Sequence, residues 1–186
     1  MSNQARASSH HHARFAAGCL AGLLAVLAGC SDGDDWREPP PSPDGTLFVS
    51  DVYPLLLGNC AFSTCHGNRN RFLQLYGPGR ARLDPGATRP DDPMTLPEVV
   101  HSYDRARAML ATASRPSASL LLRKPLDIVA GGQGHEGADE FGRNVFGSTQ
   151  APGYLLLMRW ARSEGTQPTA DEVEAAIAAA GPDGEQ

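Results

Sequence analysis

Two thiols and an imidazole stand close together in the segment Cys60-Ala61-Phe62-Ser63-Thr64-Cys65-His66-Gly67. Thiolate and imidazole are the donors that bind zinc and iron. A Cys-x-x-Cys-His run is the attachment signature of c-type haem. Each thiol joins one vinyl group, and the adjacent His falls beneath the iron as its proximal ligand. Here four residues separate Cys60 from Cys65 where the common form has two, so the extra residues must loop out for both sulfurs to reach. Two other chemistries use the same residues. A Cys60–Cys65 disulfide suits an oxidising compartment but leaves His66 unexplained. A zinc site would need distant ligands such as His101 or His135, because no second Cys/His pair follows.

An iron bound by His66 takes a second His or a Met on its other face, or keeps that face open. The candidates are Met94, His101, Met109, His135 and Met158. His135 sits in a glycine-rich loop, and glycines let the backbone approach a flat ligand closely. The competing reading is a surface turn histidine. Met109 and Met158 fall on apolar helical faces, where Met usually fills core. Met94 follows Pro93 in a loop. Arg123 and Lys124 could pair with haem carboxylates, and a solvated basic pair before a turn explains them equally well. No acid–base pair or nucleophile triad stands out, so the chemistry need not be enzymatic.

Such a site must be positioned by short elements. Gly 20 and Pro 15 in 186 residues exceed ordinary usage and argue for many turns. Leu47, Phe48, Val52, Leu55 and Leu56 recur at helical spacing ahead of Cys60, with Pro54 imposing a late start or a kink. The spacing predicts a second helix over 96–113, with Thr95 as N-cap, Pro97 in the first turn, and Val99, Val100, Tyr103, Ala106 and Leu110 on one face. Residues 117–122 form a short apolar run, and 128–147 a glycine-rich excursion. A third helix is expected over 154–163, with Leu155, Met158 and either Leu157 or Ala161 facing in. A fourth runs over 169–180, opened by Thr169 with Glu172 in a capping-box pattern. No repeat and no strand pairing is evident. The fold class is mostly α: a small, loop-rich helical domain.

The N-terminus reads as an address. Arg6 and Arg14 precede an apolar run from Phe15 to Gly29, and no acidic residue occurs before Asp32. Leu27-Ala28-Gly29-Cys30 resembles the bacterial lipoprotein lipobox. The resemblance implies cleavage before Cys30 and lipidation of its thiol, and several acyl chains give stable anchoring. Cys19 and His10 to His12 would leave with the signal. Ser31, by resemblance to enterobacterial sorting, leans toward the outer membrane. The maturation loses two arginines and no carboxylate, taking the formal charge from −5 to −7. An acidic chain of this kind is a poor nucleic-acid binder and would steer toward a basic partner. The expected domains are a signal peptide at 1–29, a lipidated Cys and Pro-rich tether at 30–46, a folded domain at 47–181 and a tail at 182–186.

Three stretches resemble the cytochrome c-like domains of exported proteins of myxobacteria and planctomycetes. They are 52–56 leading to Cys60 and the Cys65-His66-Gly67 end; Ser119-Leu120-Leu121-Leu122-Arg123-Lys124-Pro125-Leu126 followed by the loop from Gly131 to Gly137 and Phe141; and Tyr154-Leu155-Leu156-Leu157-Met158-Arg159-Trp160. Together they span roughly 47–165. The loop reads Glu136-Gly137-Ala138 where the family usually has more glycine. The resemblance implies one covalent haem c held by Cys60, Cys65 and His66, with His135 as the second iron ligand.

The resulting expectation is a membrane-anchored c-type haem protein that transfers electrons in the cell envelope, facing the periplasm or the surface. Its partners would be the membrane, through the lipid anchor, and envelope redox proteins. The alternative is a haem-free envelope lipoprotein of similar fold, with a Cys60–Cys65 disulfide and a role in binding or assembly. A weaker third reading is a haem peroxidase or gas sensor with an open iron position.

Overall fold

The computed structural model describes residues 41–87, 89–135 and 145–180. The chain divides into Met1–Arg37 and Glu38–Gln186, and only the second contains described residues. The signal peptide, Cys19, Cys30, residues 31–40 of the tether, Glu136 to Ala138, Phe141 and the tail lie outside them.

The apolar spacing ahead of Cys60 forms one helical passage with a change of winding. α1 is Gly45–Leu47, a π-helical segment covers Phe48–Val52, and α2 is Tyr53–Asn59. Pro54 lies in the first turn of α2 and has no N–H to give. Just before it, the Tyr53 N–H bonds the Phe48 carbonyl five residues back, so the ladder slips by one residue where the proline interrupts it. Phe48, Val52, Tyr53 and Leu56 are all buried on the inner face.

α3 is Leu96–Arg107, with Pro97 in its first turn and the Thr95 N–H bonded to Glu98 Oε2 at 3.3 Å. It is shorter than its sequence suggests. Past Arg107 the ladder tightens, with Met109 and Leu110 N–H bonding carbonyls three residues back, and then it ends: Ala111 N–H goes to Ser119 Oγ at 2.9 Å, and the Met109 carbonyl receives Leu121 N–H at 3.2 Å. These tertiary bonds replace the helical ladder and draw the chain back on itself. After a 3₁₀ turn at Pro116–Ala118 come the short α4 (Leu120–Arg123) and a second 3₁₀ turn at Ile128–Ala130. α5 is Pro152–Ala161 and α6 is Ala170–Ala180. Thr169 and Glu172 form the expected capping box: Thr169 N–H donates to Glu172 Oε2 at 2.7 Å, and Glu172 N–H to Thr169 Oγ1 at 3.4 Å.

The domain is thus mostly helical and loop-rich, without a sheet among the described residues. Its one strand-like feature there is an isolated bridge between Leu126 and Phe146. The core centres on Phe48, Tyr103 and Trp160, whose ring centroids lie 5.2 to 5.8 Å apart. Phe48–Tyr103 and Tyr103–Trp160 meet edge-on, an arrangement that adds to plain area burial. α5 turns Tyr154, Leu157, Trp160 and Ala161 inward. Leu155, expected inside, is 47% exposed. Apolar residues on several sides of this helix permit more than one phase, and the two aromatics decide it.

The folded unit starts earlier than the boundary at Leu47. Pro43 is fully buried, and its carbonyl accepts the Tyr103 hydroxyl at 2.6 Å. Trp160 Nε1 donates to the Asp44 carbonyl at 3.0 Å, and Arg107 Nε to the Pro41 carbonyl at 2.6 Å. Residues 41–46 are therefore strapped across the aromatic core. Extended backbone leaves its carbonyls open to such donors, which composition does not reveal.

Candidate functional site

Cys60 closes α2, its N–H bonded to the Leu56 carbonyl at 2.8 Å. The four-residue spacer then turns back sharply. Cys65 and Gly67 N–H groups both bond the Phe62 carbonyl, at 2.8 and 3.0 Å, and His66 N–H bonds the Cys60 carbonyl at 3.0 Å. Ala61 is buried while Phe62, Ser63 and Thr64 are exposed, so the additional residues do loop out. Gly67 is required by space: a Cβ there would sit 2.4 Å from the Ala61 carbonyl oxygen. The two thiols are free, with no disulfide between them. Burial, with a smaller contribution from Cys65, pushes the Cys60 thiol up to about 12.

The His66 ring is oriented by its neighbour in space. Nδ1 lies 3.1 Å from the Leu73 carbonyl, which can only accept, so Nδ1 carries the proton. That leaves Nε2 with a free lone pair, the arrangement that metal-bound histidines adopt. Burial lowers the His66 pKa and favours the neutral ring.

Cys60, Cys65 and His66 line a mostly apolar cavity of about 730 Å³. That volume is within the range of pockets that hold cofactor-sized ligands. Leu56 and Leu157 contribute apolar wall, as do Leu121 and Phe146. His135 lines it too, and its ring centroid is 5.9 Å from that of His66. Its pKa is lowered by burial and then by the nearby charges of Lys124 and Arg71.

The other proposed iron ligands separate cleanly. Met109 lines the cavity, brought there by the turn after α3. Met94 and Met158 are half-buried against the core and are not part of the lining. His101 is outside it as well, hydrogen-bonded to Gln74 Oε1 at 3.2 Å. Among the described residues no three His, Cys, Asp or Glu side chains gather to hold a metal ion by themselves. A closed zinc site is thus not formed by the described residues alone.

Lys124 lines the cavity and Arg123 does not. Arg71 joins Lys124 there, and no described carboxylate does. Arg71 was not legible as a site residue, because in Asn68-Arg69-Asn70-Arg71 it looks like any polar loop cation. Phe72, 63% exposed, stands on the same rim. A mostly apolar chamber with two cations at its wall suits a flat, apolar ligand that carries carboxylates. The two thiols, the preset His66 ring and these two cations all line the one chamber. The wall draws on separate parts of the chain, among them residues between 56 and 73, residues between 120 and 135, and Leu157. No protein family, characterised protein or solved structure matches the chain.

Proposed function

We propose that this domain is a one-haem c-type electron carrier, held at the cell-envelope membrane by lipid on Cys30. The observation that carries the reading is the His66–His135 pair within an apolar cavity walled by Cys60 and Cys65. Their ring centroids lie 5.9 Å apart, close enough for both rings to serve one metal ion. When bound, haem supplies an iron that changes oxidation state by one electron. Cys60 and Cys65 would hold it through thioethers, His66 would be the proximal ligand and His135 the second. Arg71 and Lys124 would balance its carboxylates. A second imidazole this close favours a carrier over a peroxidase or gas sensor, which needs an open face.

The anchor reading rests on the lipobox-like sequence, and no described helix is long and apolar enough to cross a membrane. Outer-membrane attachment and envelope redox partners follow from it as parts of the same proposal.

The test is export of the full chain in a strain that matures c-type cytochromes, followed by a denaturing gel stained for haem. The expected result is a stained band that survives denaturation. A well-expressed, unstained protein without free thiols would replace this reading with the haem-free, disulfide-bonded lipoprotein. In the same strain the wild type is expected to incorporate labelled palmitate and Cys30→Ala to incorporate none. Equal labelling of the two, or none in either, would remove the lipid anchor.

A further inference from the structure

The loop that bears His135 is built against one short segment of backbone. Gly131 adopts φ +92°, a left-handed turn that favours glycine. The next residue, Gly132, has its N–H bonded to the Asp127 carbonyl at 2.9 Å. A Cβ on Gly132 would meet the Leu126 carbonyl oxygen at 1.9 Å and the Asp127 carbonyl oxygen at 2.9 Å. Both obstacles are backbone, so no side-chain rotation relieves them.

Nor can Leu126 retreat easily. It is buried, and the chain on either side of it is tied to Phe146. Phe146 N–H bonds the Pro125 carbonyl, and Asp127 N–H bonds the Phe146 carbonyl, both at 2.9 Å. Any side chain at position 132 must therefore displace the loop. Three residues on, that displacement reaches His135.

Two further bonds hold the same stretch. Gln133 N–H donates to the Arg123 carbonyl at 2.8 Å, and Lys124 Nζ donates to the Gly134 carbonyl at 3.2 Å. By contrast, a Cβ at Gly134 would meet nothing within 4 Å. The glycines of this loop are not equivalent, although composition alone makes them so.

We propose that Gly132, by its close approach to the Leu126 carbonyl, and Lys124, by its bond to Gly134, are the positioning residues that deliver His135 to His66. As a role in iron ligation this rests on the haem reading. As a placement of two imidazoles it does not. The substitutions Gly132→Ala, Lys124→Met and Gly134→Ala test it in the full chain.

Where the wild type carries covalent haem, the readout is the optical spin-state spectrum. Gly132→Ala is expected to keep the haem stain but change from low spin to high spin, as is His135→Ala. Added imidazole is expected to restore the low-spin spectrum. Gly134→Ala should stay low spin. Where the wild type is isolated without haem, the haem reading fails separately, and the readout becomes the nuclear Overhauser contact between the two imidazoles. That contact should be present in wild type and Gly134→Ala and lost in Gly132→Ala. If Gly132→Ala does not fold, Lys124→Met decides: a high-spin fraction, or a weakened contact, supports the proposal. A wild-type spectrum or contact in a folded Gly132→Ala protein overturns it, as does an unaltered Lys124→Met where that variant decides.

Discussion

His66 Nδ1 and the Leu73 carbonyl, seven residues apart in sequence, meet at 3.1 Å and thereby fix which ring nitrogen remains a base. In the proposed haem protein the second iron ligand is His135, and a substitution there tests it. Replacing His135 with Met exchanges an imidazole for a thioether and favours reduced iron. The His135→Met holoprotein should have a midpoint potential higher by more than about 59 mV, a tenfold change in a one-electron equilibrium. Potentiometric titration checks this, and an unchanged potential would mean that His135 is not a ligand.

The thiols should differ in reactivity. Burial raises Cys60 to about 12, so little thiolate forms near neutral pH. In haem-free protein at pH 8, iodoacetamide should modify Cys60 at least about a hundredfold more slowly than an unhindered thiol. Mass spectrometry of timed digests reads the rate. Labelling of Cys60 as fast as that of a free peptide thiol would contradict the burial.

Glu98 gives the domain an acid-labile element. It is fully buried, accepts Arg82 Nε and Leu83 N–H at 2.8 and 3.0 Å through Oε1, and accepts a second guanidinium nitrogen at 2.9 Å through Oε2. Burial alone would raise its pKa, but the Arg82 bond, the Leu83 N–H and the Arg82 charge outweigh it and hold the carboxyl below 4.5. The stabilisation is therefore complete above pH 4.5 and is lost as pH falls through the lower, folded value. Glu98→Gln should cost about 3 kcal/mol at neutral pH and flatten the dependence of Tm on pH below 4.5. Parallel acid curves for the two proteins would refute this role.

His66 and His135 add a second window in haem-free protein. Both pKa values are lowered, first by burial, from 6.5. The unfolded chain then binds more protons, so stability falls as pH drops below about 6.5. His135→Gln should remove part of that slope and leave the one below 4.5 intact. Denaturant titrations at pH 7.5 and 5.5 measure it.

The strap across the core can be tested at Tyr103. Tyr103→Phe leaves the buried Pro43 carbonyl without its donor and should cost about 1–3 kcal/mol. A chain starting at Leu47 should lose more stability than one starting at Pro41, by chemical denaturation. Equal stability would mean that residues 41–46 contribute nothing.

The fold was legible where local chemistry dictates it. Pro97 with Glu98, and Thr169 with Glu172, opened helices at the expected residues because a first turn needs those groups whatever surrounds it. The end of α3 was not legible, since it depends on Ser119 and Leu121, more than ten residues onward. The phase of α5 escaped for a similar reason: its sequence is apolar on several sides, and only packing against Phe48 and Tyr103 places Leu155 outward. Cys60, Cys65 and His66 stood out by type and spacing and His135 by its glycine-rich setting, and the structure places all four on one cavity. That Met109 lines the cavity while Met158 does not depends on a chain reversal, which no local pattern encodes. Arg71 became visible only through its neighbours in space.

The pairing at Pro125 to Asp127 has a consequence for how this chain could diversify. The stretch that departs at Gly132 returns at Phe146, and both ends are fastened to the same three residues. Positions 125–127, 132 and 146 can therefore change only as a set, because loosening Phe146 frees the backbone against which Gly132 is fitted.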